Sequence, residues 1–300
     1  MSTLNMDEME EQTISDYEQL YKDEQMKCSN LEKKKQYLSA KVKVYESRLN
    51  NGEKDESLLL IDLFHYNETK QYDRLVNIFG DDASNGIHIL SMDTNNNEIV
   101  TDINILLSKA KGTYKSDCII KMIKTDYIYY ASIKSKNCAN PAILNHTPRT
   151  ANVFKPDGIL HEYISNLDIV IQEYIDKRKR NIIGEDTSIE QLERLKTPAI
   201  RLGFMNVLSY FVFEGSGRGY SNYKANSVLY YEKGQIIFTK CRNSEEKREY
   251  IENIYNNVII SLRDKGMPKN NDDYCKPWVF NDSKSDGSIK HKGSLHIRLK

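Results

Sequence analysis

Three side chains near the middle of the chain have the types and spacing to share one piece of chemistry: Asp117, Ser132 and Lys134. Asp117 opens an apolar run, Cys118-Ile119-Ile120, and Lys124-Thr125-Asp126 reads as a turn. Tyr127 to Lys134 is rich in aromatic and β-branched residues, the composition of a strand. If the two runs pair as antiparallel strands, Asp117 falls opposite Ser132 and Lys134, which are two apart and share a face. A carboxylate beside a lysine on paired strands suits metal-dependent hydrolysis of a phosphodiester. The carboxylate of Asp117 holds a divalent cation, and the backbone carbonyl of Ile133 is a further ligand. Lys134 orients and helps deprotonate the attacking water and stabilises charge on the phosphate. An Asp at a strand start and a Lys at a strand end are also ordinary edge residues, so the spacing alone leaves both readings open.

Lys115-Ser116-Asp117 followed by Ser132-Ile133-Lys134-Ser135 resembles the active site of the PD-(D/E)XK nucleases, most closely small type II restriction endonucleases. The resemblance lies within residues 112–150. It implies a restriction-endonuclease-like core, Mg²⁺ as cofactor with Mn²⁺ able to substitute, and sequence-specific cleavage of double-stranded DNA. Two positions depart from the pattern: Ser116 stands where it has Pro, and Ser132 where it has Asp or Glu. Ser132 would then hold a metal-bound water. In the family a helix before the catalytic hairpin often offers the missing carboxylate. Glu98 and Asp102 are four apart on one face of the helix predicted over Glu98–Ala110 and are the candidates. The other reading of both is a solvated acidic face near a helix N-terminus.

The segment after Lys134 is dense in side chains that read DNA: Ser135, Lys136, Asn137, Asn140, Asn145, His146, Thr147 and Arg149. A polar loop with a structural His146 is the alternative. Arg218 sits in the loop Glu214–Gly219, which lacks the lysine and following helix of a P-loop; a plain β-turn is the other reading. Lys290 and Lys292 belong to a basic C-terminal segment. The formal net charge is zero, but its distribution is uneven. Residues 1–24 hold eight acids and one base, net −7; residues 111–150 hold seven bases and two acids, net +5; residues 284–300 hold five bases and one acid, net +4. Local sign matters more than the total for binding a polyanion.

The elements around this centre follow from periodicity. A helix from Tyr17 to Leu49 carries a heptad, with Glu24 and Lys35 as its charged seam positions, and Asn50-Asn51-Gly52 is expected to end it. The seam offers a homodimer, packing on its own domain, or pairing with the next helix. Two short helices, or a helix and a turn, are expected over 57–80, a strand at Ile87–Met92, and a turn or cap at Asp93–Asn97. Helices are expected over Leu160–Lys179, Ser188–Lys196 (broken by Thr197-Pro198) and Ser244–Asp264. A strand is expected over Val207–Phe213, a hairpin over Ser227–Thr239, and a terminal hairpin from Trp278–Phe280 and Ser294–Lys300. The fold class is α+β, α/β-like, with a mixed sheet flanked by helices. Residues 1–52 form an acidic tail and long helix, and residues 53–300 the nuclease-like domain.

Several classes are disfavoured. The five cysteines are scattered and form no CxxC pair, which argues against a zinc site and a disulfide framework. No apolar run approaches ~20 residues, the length of a membrane span. The acidic N-terminus has no apolar core of a signal peptide. A cytoplasmic or nuclear protein, or one packaged in a virion, is expected rather than a secreted one. The abundance of Asn, Ile, Lys and Tyr fits an AT-rich viral or microbial genome. Besides the nuclease, two readings stand: a non-catalytic, architectural DNA-binding protein on a degenerate nuclease fold, and a coiled-coil adaptor that binds protein only.

Overall fold

Asn50, expected to end the first helix, begins the second. A computed structural model of the chain describes residues 6–92, 98–107, 114–137, 140–267, 276–283 and 287–300, with side chains from residue 15 on. Helix α1 (Met6–Glu46) stops short of Asn50, and α2 is Asn51–Glu68. The Asn50 side chain accepts from Glu53 N at 3.0 Å, and the Glu53 carboxylate accepts from Asn50 N at 3.2 Å. This capping box satisfies two donors that a helix start otherwise leaves orphaned. Helix α3 (Tyr72–Phe79) follows, so 57–80 holds parts of two helices rather than a helix and a turn.

The remaining elements are β1 (Ile87–Leu90), β2 (Cys118–Met122), β3 (Ile128–Ser135), β4 (Ala142–Thr147), α4 (Ile164–Lys179) and β5 (Thr187–Ser188). Then come α5 (Pro198–Ser209), β6 (Gly215–Ser216), β7 (Gly219–Tyr220), β8 (Ser227–Glu232), β9 (Gln235–Lys240) and α6 (Ser244–Tyr255). The chain closes with β10 (Val258–Arg263), β11 (Phe280–Ser283), β12 (Ile289–Lys292) and β13 (Ser294–Leu299). One sheet has the order β1-β2-β3-β8-β9 and is mixed: β3 and β8 run parallel and its other pairs antiparallel. A second, antiparallel sheet has the order β4-β13-β10-β5, and β6-β7 and β11-β12 are hairpins. The fold class is α+β, with a long N-terminal helix. No helix among the described residues is long and apolar enough to cross a membrane.

The mixed sheet separates two apolar cores, because side chains alternate along each strand. Tyr129, Ala131, Ile133, Leu229 and Tyr231 face a core shared with α2 and α3. Val228 and Tyr230 face the larger core built from α4, α5, α6 and the second sheet. The β8–β9 hairpin stands as expected, with Glu232 opposite Gln235. Its turn residues Lys233 and Gly234 have φ of 50° and 82°, as a two-residue turn matched to strand twist requires.

Other expectations are overturned. Val207–Phe213 is helical, not a strand: Pro198 stands at the first position of α5, and Tyr210–Glu214 continue as a π-helical turn. Proline at that position loses no hydrogen bond, so Thr197-Pro198 starts a helix here instead of breaking one. Burial on nearly every side of residues 207–213, at the end of α5 and through the π-helical turn, produced the continuous apolar run that read as a strand. Residues 188–196 form two 3₁₀ turns rather than one helix. Helix α6 ends at Tyr255, and β10 follows where a longer helix was expected. At the C-terminus β11 pairs with β12, while β13 pairs with β10 and β4. Glu98–Thr101 is not helical either. Ile99 bridges Leu90, and a 3₁₀ turn covers Ile103–Leu107. The Asp102 carboxylate accepts from Asn104 N at 2.9 Å, a local bond that competes with the helix. The turn expected at Asp93–Asn97 lies outside the described residues.

Candidate active site

Strands β2 and β3 are antiparallel as the sequence suggests, with Cys118 opposite Ala131. Asp117 N donates to Ala131 O at 2.8 Å, carrying the ladder one bond beyond β2. Before Asp117 the chain leaves the sheet. Lys115 N donates to Ser221 Oγ at 2.8 Å and Ser116 N to Tyr223 O at 3.1 Å. Tyr223 is anchored in turn, stacked on Tyr130 at 6.0 Å and edge-on to Tyr114 at 4.6 Å. The connection between β7 and β8 thus fixes the strand end that carries Asp117.

Asp117 Oδ2 accepts from Ile133 N at 2.6 Å and from Ser132 Oγ at 3.2 Å. Ser132 Oγ accepts in turn from Lys134 Nζ at 2.9 Å. Carboxylate, hydroxyl and ammonium form one hydrogen-bonded row. Ser132 is fully buried and Lys134 half-buried, opposite Val228 and Tyr230 of β8 respectively.

Lys115 stands near this row without a hydrogen bond to it, in the bent segment before Asp117 and within electrostatic reach of Lys134 and Asp117. Burial first, and the nearby Lys134 second, lower its pKa to about 7, while Asp117 acts in the opposite sense. Sequence reasoning missed Lys115 as a site residue and counted it only among the bases of residues 111–150. Ser221 and Tyr223, more than a hundred residues away, left no signal.

The second acid is not supplied from 98–102. Glu98 is exposed beside β1, its carbonyl accepting from Ser91 N at 2.7 Å, and β1 stands between it and β2. Asp102 is exposed, and hydrogen bonds from the Asn104 backbone and side chain hold its carboxyl below the usual range. The structure joins neither to Asp117. A helix does bring carboxylates to this end of the sheet, from a different place: α2. Ser135 Oγ donates to the buried Asp55 carboxylate. Burial, with Asp117 and Glu56 nearby, pushes the Cys118 thiol well up. Ser135 alternates with Lys134, however, so Asp55 approaches the opposite face of β3.

No group of three His, Cys, Asp or Glu side chains poised to hold a metal occurs among the described residues. Asp117 Oδ1 accepts no hydrogen bond among the described residues, and Ile133, whose N–H points at Asp117, directs its carbonyl toward the same edge of β3. Mg²⁺ commonly takes one or two carboxylates and completes its shell with water and phosphate oxygens. Asp117 and the Ile133 carbonyl fit that minimal role with a phosphate present.

The expected DNA-reading segment divides. Lys136 is exposed, its ammonium 4.6 Å from the Tyr230 ring centre, and Asn137 Oδ1 accepts from Lys233 N at 2.6 Å. Asn140 and Asn145 are exposed. Cys138 and Ala139 lie outside the described residues, as does Lys284. His146 and Thr147 are not in a free loop but in β4, paired with β13. Thr147 is buried, and the His146 ring stacks on His296 at 5.2 Å. Arg149 is buried against Asp168, which also accepts from Trp278 Nε1 at 2.8 Å. Lys292 is 4% exposed, 2.8 Å from Asp282 and 3.0 Å from Glu185. A buried cation is tolerated where it is paired, and these two bases are spent on the interior rather than offered to DNA. Lys290 pairs with Asp264 at 2.6 Å on the surface. Arg218 is exposed at the β6–β7 tip.

No family model matches the chain, and no curated protein or solved structure matches it either.

Proposed function

We propose that the chain is a Mg²⁺-dependent endonuclease acting on double-stranded DNA, with Asp117, Ser132, Lys134 and Lys115 at its centre. The observation that supports this reading is the row in which Lys134 Nζ is held at 2.9 Å by Ser132 Oγ, itself bonded to Asp117. An ammonium fixed beside a carboxylate would be placed to stabilise charge developing on an attacked phosphate. Lys134 would stabilise that charge and orient the water, and Lys115 would add a second positive group. Asp117 and the Ile133 carbonyl would hold the cation, which when bound supplies a Lewis acid and a more acidic water. Ser132 cannot be the nucleophile while it is fully buried; its role is to position Lys134. Lys136 and Arg218 would contact the DNA backbone.

The test is incubation of supercoiled plasmid with the purified protein and Mg²⁺, with and without EDTA. Nicking or linearisation that EDTA abolishes and that Asp117→Asn removes is the expected result. No cleavage with Mg²⁺ or Mn²⁺ would sink the reading. A second reading, DNA binding without catalysis, is favoured by one observation: among the described residues Asp117 stands beside two lysines and in no cluster of metal-ligating side chains, which favours an anion over a metal. It predicts duplex binding with no cleavage under any divalent ion.

A further inference from the structure

Helix α1 has two faces, and its own domain uses only one. Ala40 and Val44 are buried, Tyr37 OH donates to Asp62 at 2.8 Å, and Lys41 pairs with Asp62 at 2.7 Å. On the heptad, Tyr37, Ala40 and Val44 fall at positions c and f, opposite the a and d seam. That seam is bare. Tyr17 is 69% exposed, Tyr21 66%, Leu31 66%, Leu38 50% and Val42 51%. Between residues 15 and 32 every residue except Asp23 is exposed, so this half of the helix projects clear of the domain. An apolar stripe this long, rimmed by charge, marks a docking face.

We propose that a second copy of this chain covers the stripe, with its α1 running antiparallel. Charge decides both the occupant and its direction. In a parallel pair each seam residue meets its own copy, which sets Glu24 against Glu24 and Lys35 against Lys35. Reversing one helix about a two-fold axis between residues 29 and 30 sets Glu24 against Lys35 of the partner copy. The same register sets Tyr17 against Val42, Tyr21 against Leu38 and Cys28 against Leu31. Every one of these layers is then apolar or oppositely charged. The flanks agree. In this register residues 10–24, with six acids and one base (net −5), lie along residues 35–49 of the partner copy, with four bases and one acid (net +3). The docked c and f face stays free of the pairing, so each domain keeps its own contact with α1. The inference does not depend on the nuclease reading, and its test does not measure activity.

Sedimentation velocity of the full chain at micromolar concentration should show a dimer, and Leu31→Glu should convert it to a monomer with unchanged helix content beyond α1. A monomeric wild-type chain, or a dimer indifferent to Leu31→Glu, would overturn the proposal. Direction is read from charge exchange. Glu24→Lys and Lys35→Glu should each weaken the dimer by roughly tenfold, because each puts like charges in two symmetric layers. The double variant should recover wild-type affinity. In a parallel pair each single exchange only replaces one like-charged contact by another, so unchanged affinity in both single variants would overturn the antiparallel arrangement.

Discussion

Lys134 donates from Nζ to Ser132 Oγ at 2.9 Å, and the acceptor has no solvent exposure. The hydroxyl thus fixes the ammonium from beneath and spends its own proton on Asp117. Removing each member should have a different effect. Lys134→Met and Asp117→Asn should lower plasmid cleavage by roughly 10²–10³, the scale for loss of one group that stabilises developing charge. Ser132→Ala should lower it by only about tenfold, by loosening Lys134. Equal losses in all three variants, with folding intact, would argue that Ser132 has a direct chemical role.

Lys115 should titrate near neutrality. Its amine, pushed down to about 7 by burial and Lys134, should lose its proton well before an ordinary lysine, as an NMR pH titration of the side chain can read. Lys134→Met should raise that pKa, and Asp117→Asn should lower it further, because each removes a charge of known sign. The linkage has a definite sense. The unfolded chain holds this proton up to about 10.5, the folded chain only to about 7, so stability gains from this group as pH rises through that window. An amine that titrates at the usual lysine pH in the folded protein would exclude the enclosed position beside Lys134.

The His146–His296 pair predicts acid sensitivity. Burial, then Arg298 and Arg263, lower His296 to about 4, and burial also lowers His146. An unfolded histidine takes up its proton near 6.5, earlier than His296 does in the fold. The stabilisation is therefore complete above about 6.5 and is lost as pH falls toward 4, by about 2–3 kcal/mol for His296. Urea unfolding at a series of pH values should show the decline, and His296→Phe should flatten it. A wild-type slope unchanged by that substitution would assign the acid sensitivity elsewhere.

Arg149 and Lys292 should matter to stability, not to the choice of DNA sequence. Breaking the interior pair by Arg149→Ala should cost roughly 3 kcal/mol, since the Asp168 carboxylate loses its cation, while Lys292→Ala should cost less, because Asp282 keeps Arg178 and Glu185 keeps Arg263. Lys136→Ala and Arg218→Ala should leave stability within about 0.5 kcal/mol. Each should reduce the dependence of log DNA affinity on log salt by about 0.9, the share of one phosphate contact. Denaturant midpoints and salt titrations on the same four variants separate the two pairs. A large loss of sequence discrimination in a well-folded Arg149→Ala would contradict the interior placement.

The β2–β3 hairpin, and the row of Asp117, Ser132 and Lys134 on it, were legible in the sequence because strand periodicity is local: two residues apart means one face. The β8–β9 hairpin was legible for the same reason, through its Lys233-Gly234 turn. The seam of α1 was visible as a heptad, but only the packing of Ala40 and Val44 decided which face the domain takes. Local pattern misled where one signal serves two structures. Asn50 and Pro198 punctuate helices at either end, and Glu53 and the apolar surroundings of α5 decided that they open them. The apolar run at 207–213 reads alike as a buried strand or a helix buried on all sides. Charge was the least legible quantity. Composition counted Arg149 and Lys292 as bases offered to a polyanion, whereas Asp168, Asp282 and Glu185 neutralise them from distant parts of the chain. A sequence fixes how many charges a segment carries; only the tertiary structure decides which of them still face water, because pairing and burial depend on neighbours that the chain brings in from afar.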